Sequence, residues 1–195
     1  MKGRRKADLQ TLDLFATAAS TTAPEDGDTI TLTTAGLLTA LERLADVGLL
    51  RRLDSALAAF VAEQDAGAEP ALLIATAVLA QMEGRGHSCL PLQALAHNPN
   101  EILGWPKEAM PVQLSLWERL PSRLGDWLQA LRRSPVVRVV MQGEPSEDQG
   151  QPLVLLDGPA PLLYLRRYWD YERNVAAHIA QRTATAGTEV NEPLV

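Results

Sequence analysis

The sequence predicts a mainly α-helical domain with a small antiparallel β element near its C-terminal end. Three observations carry that expectation. The stretch from Ala71 to Met82 contains no charged residue and is the most apolar run in the chain. Leucines recur at three- and four-residue steps before and after it, the spacing of one helical face. Two short apolar runs, Leu153 to Leu156 and Leu162 to Leu165, flank the turn-forming stretch DGPAP, the pattern of a β-hairpin.

The elements follow in chain order. Met1 to Thr34 is poor in aromatics and rich in Ala, Thr and Asp, which predicts a disordered leader with a short frayed helix near Leu9 to Ala18. From Ala35, Leu37, Leu38, Leu41 and Leu44 mark a first helix that Gly48 stops. A second helix is expected with Asp54 as N-cap and Leu57, Phe60 and Val61 on its inner face. The uncharged run then makes a helix of three turns, buried on nearly every side. Pro70 suits its first turn, where a missing N–H costs nothing. Gly84 and Gly86 end it. Gln93 to His97 reads as a short helix, and Asn98-Pro99-Asn100 and Gly104-Trp105-Pro106 as turns. Pro111 and Pro121 keep the next elements short around Leu114, Leu116, Trp117 and Leu120. Ser122 can cap a helix over Arg123 to Arg133 with Leu124, Trp127, Leu128 and Leu131 as its stripe. Val136 to Val140 favours a strand. The hairpin follows, then a helix from about Trp169 to Thr183 with Val175, Ala176 and Ile179 inward. A helix, a hairpin and a further helix in this order give the C-terminal part a winged-helix-like plan. The domain is therefore placed at residues 35–184, between a leader at 1–34 and a polar tail at 185–195.

The 195 residues suit one domain with tails, and 46% hydrophobic residues suffice for a core. A net charge of −6 is the wrong sign for a free-standing duplex binder, whose affinity rests on neutralising phosphates. A lone cysteine, Cys89, excludes an internal disulfide and fits a reducing compartment. The basic start has no continuous apolar segment after it, so neither a signal peptide nor a membrane span is expected, and the cytoplasm is the expected location. The patch Lys2, Arg4, Arg5 and Lys6 could meet nucleic acid or an acidic partner, or stand in solvent.

Candidate chemistry is sparse. His87 and Cys89 lie two apart, but a metal site needs further ligands, and His97 and His178 are the only other histidines. Cys89 as a nucleophile would need a base and an oxyanion site. Gly84-Arg85-Gly86 is not a phosphate loop, because no G-x-x-x-x-G-K-[ST] run occurs in the sequence. No catalytic, cofactor or metal residue is therefore assigned. Arg166, Arg167 and Arg173 lie among Tyr164, Tyr168, Trp169 and Tyr171. Such interleaving can track a single strand by stacking and phosphate contact, or the rings can pack the hairpin onto the last helix while the arginines pair with Asp170 and Glu172.

Three segments together resemble one family. They are LERLADVGLLRRLDSALAAFVAE, GRGHSCLPLQAL and PLVLLDGPAPLLYLRRYWDYERNVAAHI, which lie in order between Leu41 and Ile179. They are similar to the N-terminal region of RecD, the alpha subunit of the RecBCD helicase–nuclease, exodeoxyribonuclease V. The PAP insertion after Asp157-Gly158 departs from the family's shorter hairpin, and the leader matches nothing nameable. The resemblance implies a parent subunit with an ATP- and Mg²⁺-dependent motor that runs 5′ to 3′ on single-stranded DNA, in double-strand break repair and homologous recombination. It implies that this region docks the subunit onto a RecC-like partner in a RecB-RecC-RecD-like heterotrimer, with DNA reached through the complex. The chain is expected to stop near where the segment before the motor would begin. Trp105, Trp117 and the hairpin residues Leu153, Leu155, Leu163 and Leu165 are candidates for the docking surface, since aromatics anchor interfaces and open edges recruit strands. The alternative is a small winged-helix-like nucleic-acid binder contacting its ligand through Arg132, Arg133, Arg166 and Arg167, with Arg138 in support.

Overall fold

A computed structural model describes residues 12–15, 32–141 and 147–185. The expected leader helix near Leu9 to Ala18, the basic patch at Lys2 to Lys6 and the tail beyond Thr185 fall wholly or mostly outside the described residues. Eight helices occur among them: α1 (Thr34–Asp46), α2 (Arg52–Gln64), α3 (Pro70–Glu83), α4 (Leu92–His97), α5 (Pro99–Leu103), α6 (Met110–Trp117), α7 (Leu124–Arg133) and α8 (Arg166–Thr185). Four strands join them: β1 (Cys89–Pro91), β2 (Val137–Met141), β3 (Leu153–Asp157) and β4 (Leu162–Leu165).

The domain is built on α3. All twelve side chains from Ala71 to Met82 are buried, as a charge-free run predicts. Of its two polar members, the Thr76 hydroxyl donates to Leu72 O at 2.8 Å, and the Gln81 amide nitrogen donates to Leu49 O at 2.8 Å while its oxygen has no partner among the described residues. α1, α2, α7, β1 and β4 pack around it. α1 starts at Thr33, whose hydroxyl accepts from Gly36 N–H at 3.1 Å, and buries Leu37, Ala40, Leu41 and Leu44.

α2 differs from expectation at both ends of the argument. Its N-cap is Arg51, and Asp54 sits one turn in, accepting from Arg51 N–H at 2.8 Å. The inner face is Asp54, Ser55, Ala58 and Val61; Phe60 points out. α2 packs against both α3 and α1.

The two glycines after α3 have different causes. Gly86 holds φ +90°, a left-handed conformation that only glycine adopts freely. Gly84 has an ordinary φ of −63°, but the Arg51 guanidinium lies over it, where a Cβ would come within 3.0 Å of three guanidinium atoms.

The sheet has the order β1-β4-β3-β2. β3 and β4 form the expected antiparallel hairpin, with Leu153 opposite Leu165 and Leu156 opposite Leu162. The sheet as a whole is mixed, because β2 joins β3 in parallel, with Val137 opposite Leu153 and Met141 opposite Asp157. β1 is a strand the sequence does not announce: three residues pair antiparallel with β4, and Pro91 is tolerated because β1 is an edge. The register sorts the side chains into two faces. Val139, Leu155, Leu163 and Leu90 form one row towards the helices and join the main core. On the other face Val140, Val154 and Tyr164 form a second cluster under Trp169 of α8, whose ring meets Tyr164 edge-on at 5.3 Å.

Leu14 lies in the main core at 2% exposure, and the Arg43 guanidinium donates to Leu14 O at 2.7 Å. Residues 12–15 therefore belong to the packed domain, although the sequence places them in a solvated leader.

Candidate partner interface

Sheet register decides the fate of the hairpin leucines. Leu153, Leu155 and Leu163 are fully buried against the helices, so they are core and offer no surface to a partner. Alternation on a strand sends every second residue to the same face, and these three carry the phase that faces the helices, while Val154 and Tyr164 are buried on the other face. Leu165 is half-buried and reaches a groove described below. Trp105 and Trp117 are half-buried and pack on the core. The Trp117 indole donates to Leu95 O at 3.3 Å, whereas the buried Trp105 indole nitrogen has no hydrogen-bond partner among the described residues.

The candidate nucleic-acid arginines are each engaged by carboxylates. Arg132 makes a two-pronged pair with the buried Asp157 at 2.6 and 2.9 Å, which raises its pKa, chiefly through the hydrogen bond. Arg133 lies 3.6 Å from Glu69. Arg166 lies 3.0 Å from Asp148 and 3.8 Å from Asp170. Arg138 lies 3.3 Å from Asp148. The Gly150 N–H and these two guanidiniums hold the Asp148 carboxyl below its usual value. Arg167 donates to Glu83 at 2.8 Å. Arg132 pairs at the Asp157 end of β3, whereas Arg166 follows Leu165, which lies opposite the Leu153 end, so the four do not make one stripe.

His87 and Cys89 line a hollow of about 480 Å³ with Arg85, Ser88 and Glu101. Arg85 is committed to the end of α5, donating to Ile102 O at 3.0 Å and Leu103 O at 2.6 Å. Burial pushes the Cys89 thiol up from its ordinary pKa, the opposite of what a nucleophile needs. Burial likewise raises the neighbouring Tyr164. Among the described residues no group of three or more His, Cys, Asp or Glu is placed to hold a metal ion. Also among them, no helix is long and apolar enough to cross a membrane.

The surface that stands out is elsewhere. α8 leaves the domain after Trp169, and every described side chain from Tyr171 to Ala184 is exposed. Tyr171, Val175 and Ile179 recur at four-residue steps with 62%, 57% and 57% exposure, an apolar stripe that none of the described residues covers. Val175, Ala176 and Ile179 thus face outward, against the sequence expectation, because α8 is held to the domain by Arg167, Tyr168, Trp169 and Glu172, which accepts from the Ser88 hydroxyl, all near its start. The first turn of α8 is fixed by Glu83 at the end of α3, which accepts from Arg167 at 2.8 Å and from the Tyr168 hydroxyl at 2.9 Å. Tyr171 meets Tyr168 edge-on at 6.2 Å and carries the stripe outward from there. Beside the same glutamate lies a groove of about 440 Å³ lined by Leu53, Leu57, Ala80, Pro152 and Leu165, with Arg166 and Arg167 at its rim. Leu53 is 62% exposed.

Comparison with known families decides the identity of this arrangement. Residues 46–164 match the model of the family described as the RecBCD enzyme subunit RecD, N-terminal domain. The chain belongs to this family. A search of curated proteins gives no match. The RecD N-terminal domain match begins at the last residue of α1 and ends within β4, so it takes in α2, α3, the hairpin and the groove-lining residues up to Pro152. α8 follows the matched span.

Proposed function

We propose that this domain docks a RecD-like helicase subunit onto a RecC-like partner, within a RecB-RecC-RecD-like assembly that works on broken DNA ends in recombination and repair. What supports the reading is the bare apolar stripe of α8, continuous through Tyr168 and Glu83 with the groove beside α2. An isolated helix of about 15 residues is marginal in water, so a helix of this kind gains its stability from what covers it. In this reading the domain is a platform. ATP and Mg²⁺ belong to the motor of the parent subunit, no Walker A run being present in this sequence, and DNA is met through the complex in the cytoplasm. A direct nucleic-acid role draws less support, because the basic residues are held in ion pairs and split between two ends of the sheet.

The test is co-expression of the chain with a tagged RecC-like subunit from the same genome. The two are expected to co-purify in equal amounts. Replacing Tyr171 and Ile179 together by Asp is expected to abolish recovery while the circular dichroism of the domain core persists. Undiminished recovery of the double variant overturns the reading.

A further inference from the structure

A second groove, of about 510 Å³, lies between α1 and α2. Leu38, Ala59 and Phe60 give it an apolar lining, and Glu42, Glu63 and Arg52 border it. Phe60 is 44% exposed. The Arg52 guanidinium is taken by Asp46. Neither the Glu42 nor the Glu63 carboxylate has a partner among the described residues, so the border is acidic. The chain supplies the matching charge close by. Residues 12–15 are seated beside α1: the Arg43 guanidinium donates to Asp13 O at 3.0 Å and to Leu14 O at 2.7 Å, and Arg43 directly follows Glu42. The segment before them, residues 1–11, holds Lys2, Arg4, Arg5 and Lys6 against one carboxylate, Asp8. From Lys6 to Leu12 the chain can reach about 20 Å, at about 3.3–3.6 Å per residue. A helix with its side chains is roughly 10–12 Å across, so that reach carries the cations over the exposed side of α1 to the groove.

We propose that residues 1–11 of this chain dock in the groove between α1 and α2, with their cations on Glu42 and Glu63 and Leu9 against Phe60. An exposed ion pair is weak alone, so the contact depends on the tether and on the apolar cover of Phe60 as well as on charge. A tether this short holds the segment at an effective concentration on the order of mM, ahead of a free basic peptide. The basic patch, open by sequence to nucleic acid, an acidic partner or solvent, is thereby assigned to an acidic face of its own domain. The proposal stands apart from the docking reading, which rests on α8, and its test needs no partner subunit.

The test is carbodiimide coupling of amines to carboxylates in the full chain, read by mass spectrometry of its peptides. Lys2 and Lys6 are expected to couple to Glu42 and Glu63 in preference to the other exposed carboxylates. A mixture of isotopically light and heavy chains is expected to show that the coupling joins groups of one molecule. Raising salt from about 0.1 M to about 1 M shortens the screening length from about 10 Å to about 3 Å and should abolish it. Arg4→Glu with Arg5→Glu keeps both lysine amines, yet should also abolish it. The last variant exchanges the charges: Lys2→Glu, Arg4→Glu, Arg5→Glu and Lys6→Glu together with Glu42→Lys and Glu63→Lys. Coupling between the two sites should return there with acid and amine swapped. Glu42 and Glu63 are exposed, so the fold tolerates the exchange, and circular dichroism checks it. Four results overturn the proposal: coupling spread evenly over the surface carboxylates, coupling between separate chains, coupling undiminished by Arg4→Glu with Arg5→Glu, or no return in the folded exchange variant.

Discussion

Replacing Gly84 by Ala tests the joint between α2, α3 and α8. With φ at −63°, alanine fits the backbone there, and on conformational grounds alone it would stabilise by about 0.4–1 kcal/mol. The side chains say otherwise. A Cβ would lie within 3.0 Å of Nη1, Cζ and Nη2 of Arg51. That guanidinium is tied on several sides: it donates to Asp54 at 2.9 and 2.7 Å, donates to Ala80 O, and lies 3.7 Å from Glu83. To escape, it must leave the carbonyl of α3 and at least one prong of Asp54. A hydrogen bond involving a charged group contributes roughly 1.5–3 kcal/mol. Because Arg51 is partly exposed and Asp54 keeps the Arg51 N–H at 2.8 Å, the full cost of a stranded buried charge does not apply. The expected net loss is about 1–2 kcal/mol, or a fall in Tm of about 2–8 °C for a domain of this size. Urea denaturation followed by circular dichroism measures it. The same substitution placed on Arg51→Ala, where the obstructing group is gone, should be neutral or slightly stabilising. A loss of the same size in both backgrounds, or none in the native one, would refute the account.

Three further outcomes are expected. The Ser134 hydroxyl donates to Asp65 Oδ2 at 2.5 Å with both residues buried, so Ser134→Ala should cost about 1–3 kcal/mol in urea denaturation. Hydrogen exchange of the isolated chain should show amides from about Arg173 to Thr185 exchanging far faster than those of α3, and gaining protection when a RecC-like subunit is bound. Burial raises the Cys89 thiol, with Tyr164, Glu172 and Ser88 around it, so the folded state holds that proton longer than the unfolded chain does. The stability it contributes is complete below the ordinary thiol pKa of about 8.5 and is lost as pH climbs from there towards the raised folded value. Stability of the native chain should therefore fall more steeply than that of Cys89→Ala as pH rises above about 8.5, and equal slopes would exclude the effect.

Charge and hydropathy along the chain determine that an element exists far better than they determine what it faces. The burial of α3 from Ala71 to Met82 is legible because that run holds no charge and only two polar side chains, so every orientation is inward. The hairpin was legible because two apolar runs with a turn between them have one economical pairing. β1 was hidden by its length of three residues and its proline, and nothing local to Val137–Met141 says that its partner β3 runs parallel to it. Asp54 could be read as a cap, but not as a buried residue, since its cover is an arginine that must also reach the end of α3. α2 and α8 show the deeper reason. Leu53, Leu57 and Phe60, and again Tyr171, Val175 and Ile179, have the spacing of a buried stripe, yet Phe60, Val175 and Ile179, expected inward, are exposed and Leu57 is half-buried. Periodicity reports that a face is meant to be covered; it is silent on whether the cover lies in the same chain. On α2 Ser55, Ala58 and Val61 are buried, while Leu53 and Phe60 remain exposed. On α8 contacts confined to Arg167, Tyr168, Trp169 and Glu172 leave the stripe exposed among the described residues. Leu53 and Leu57 on one side and the first turn of α8 on the other both reach Glu83, so the end of α3 sets where the two stripes meet.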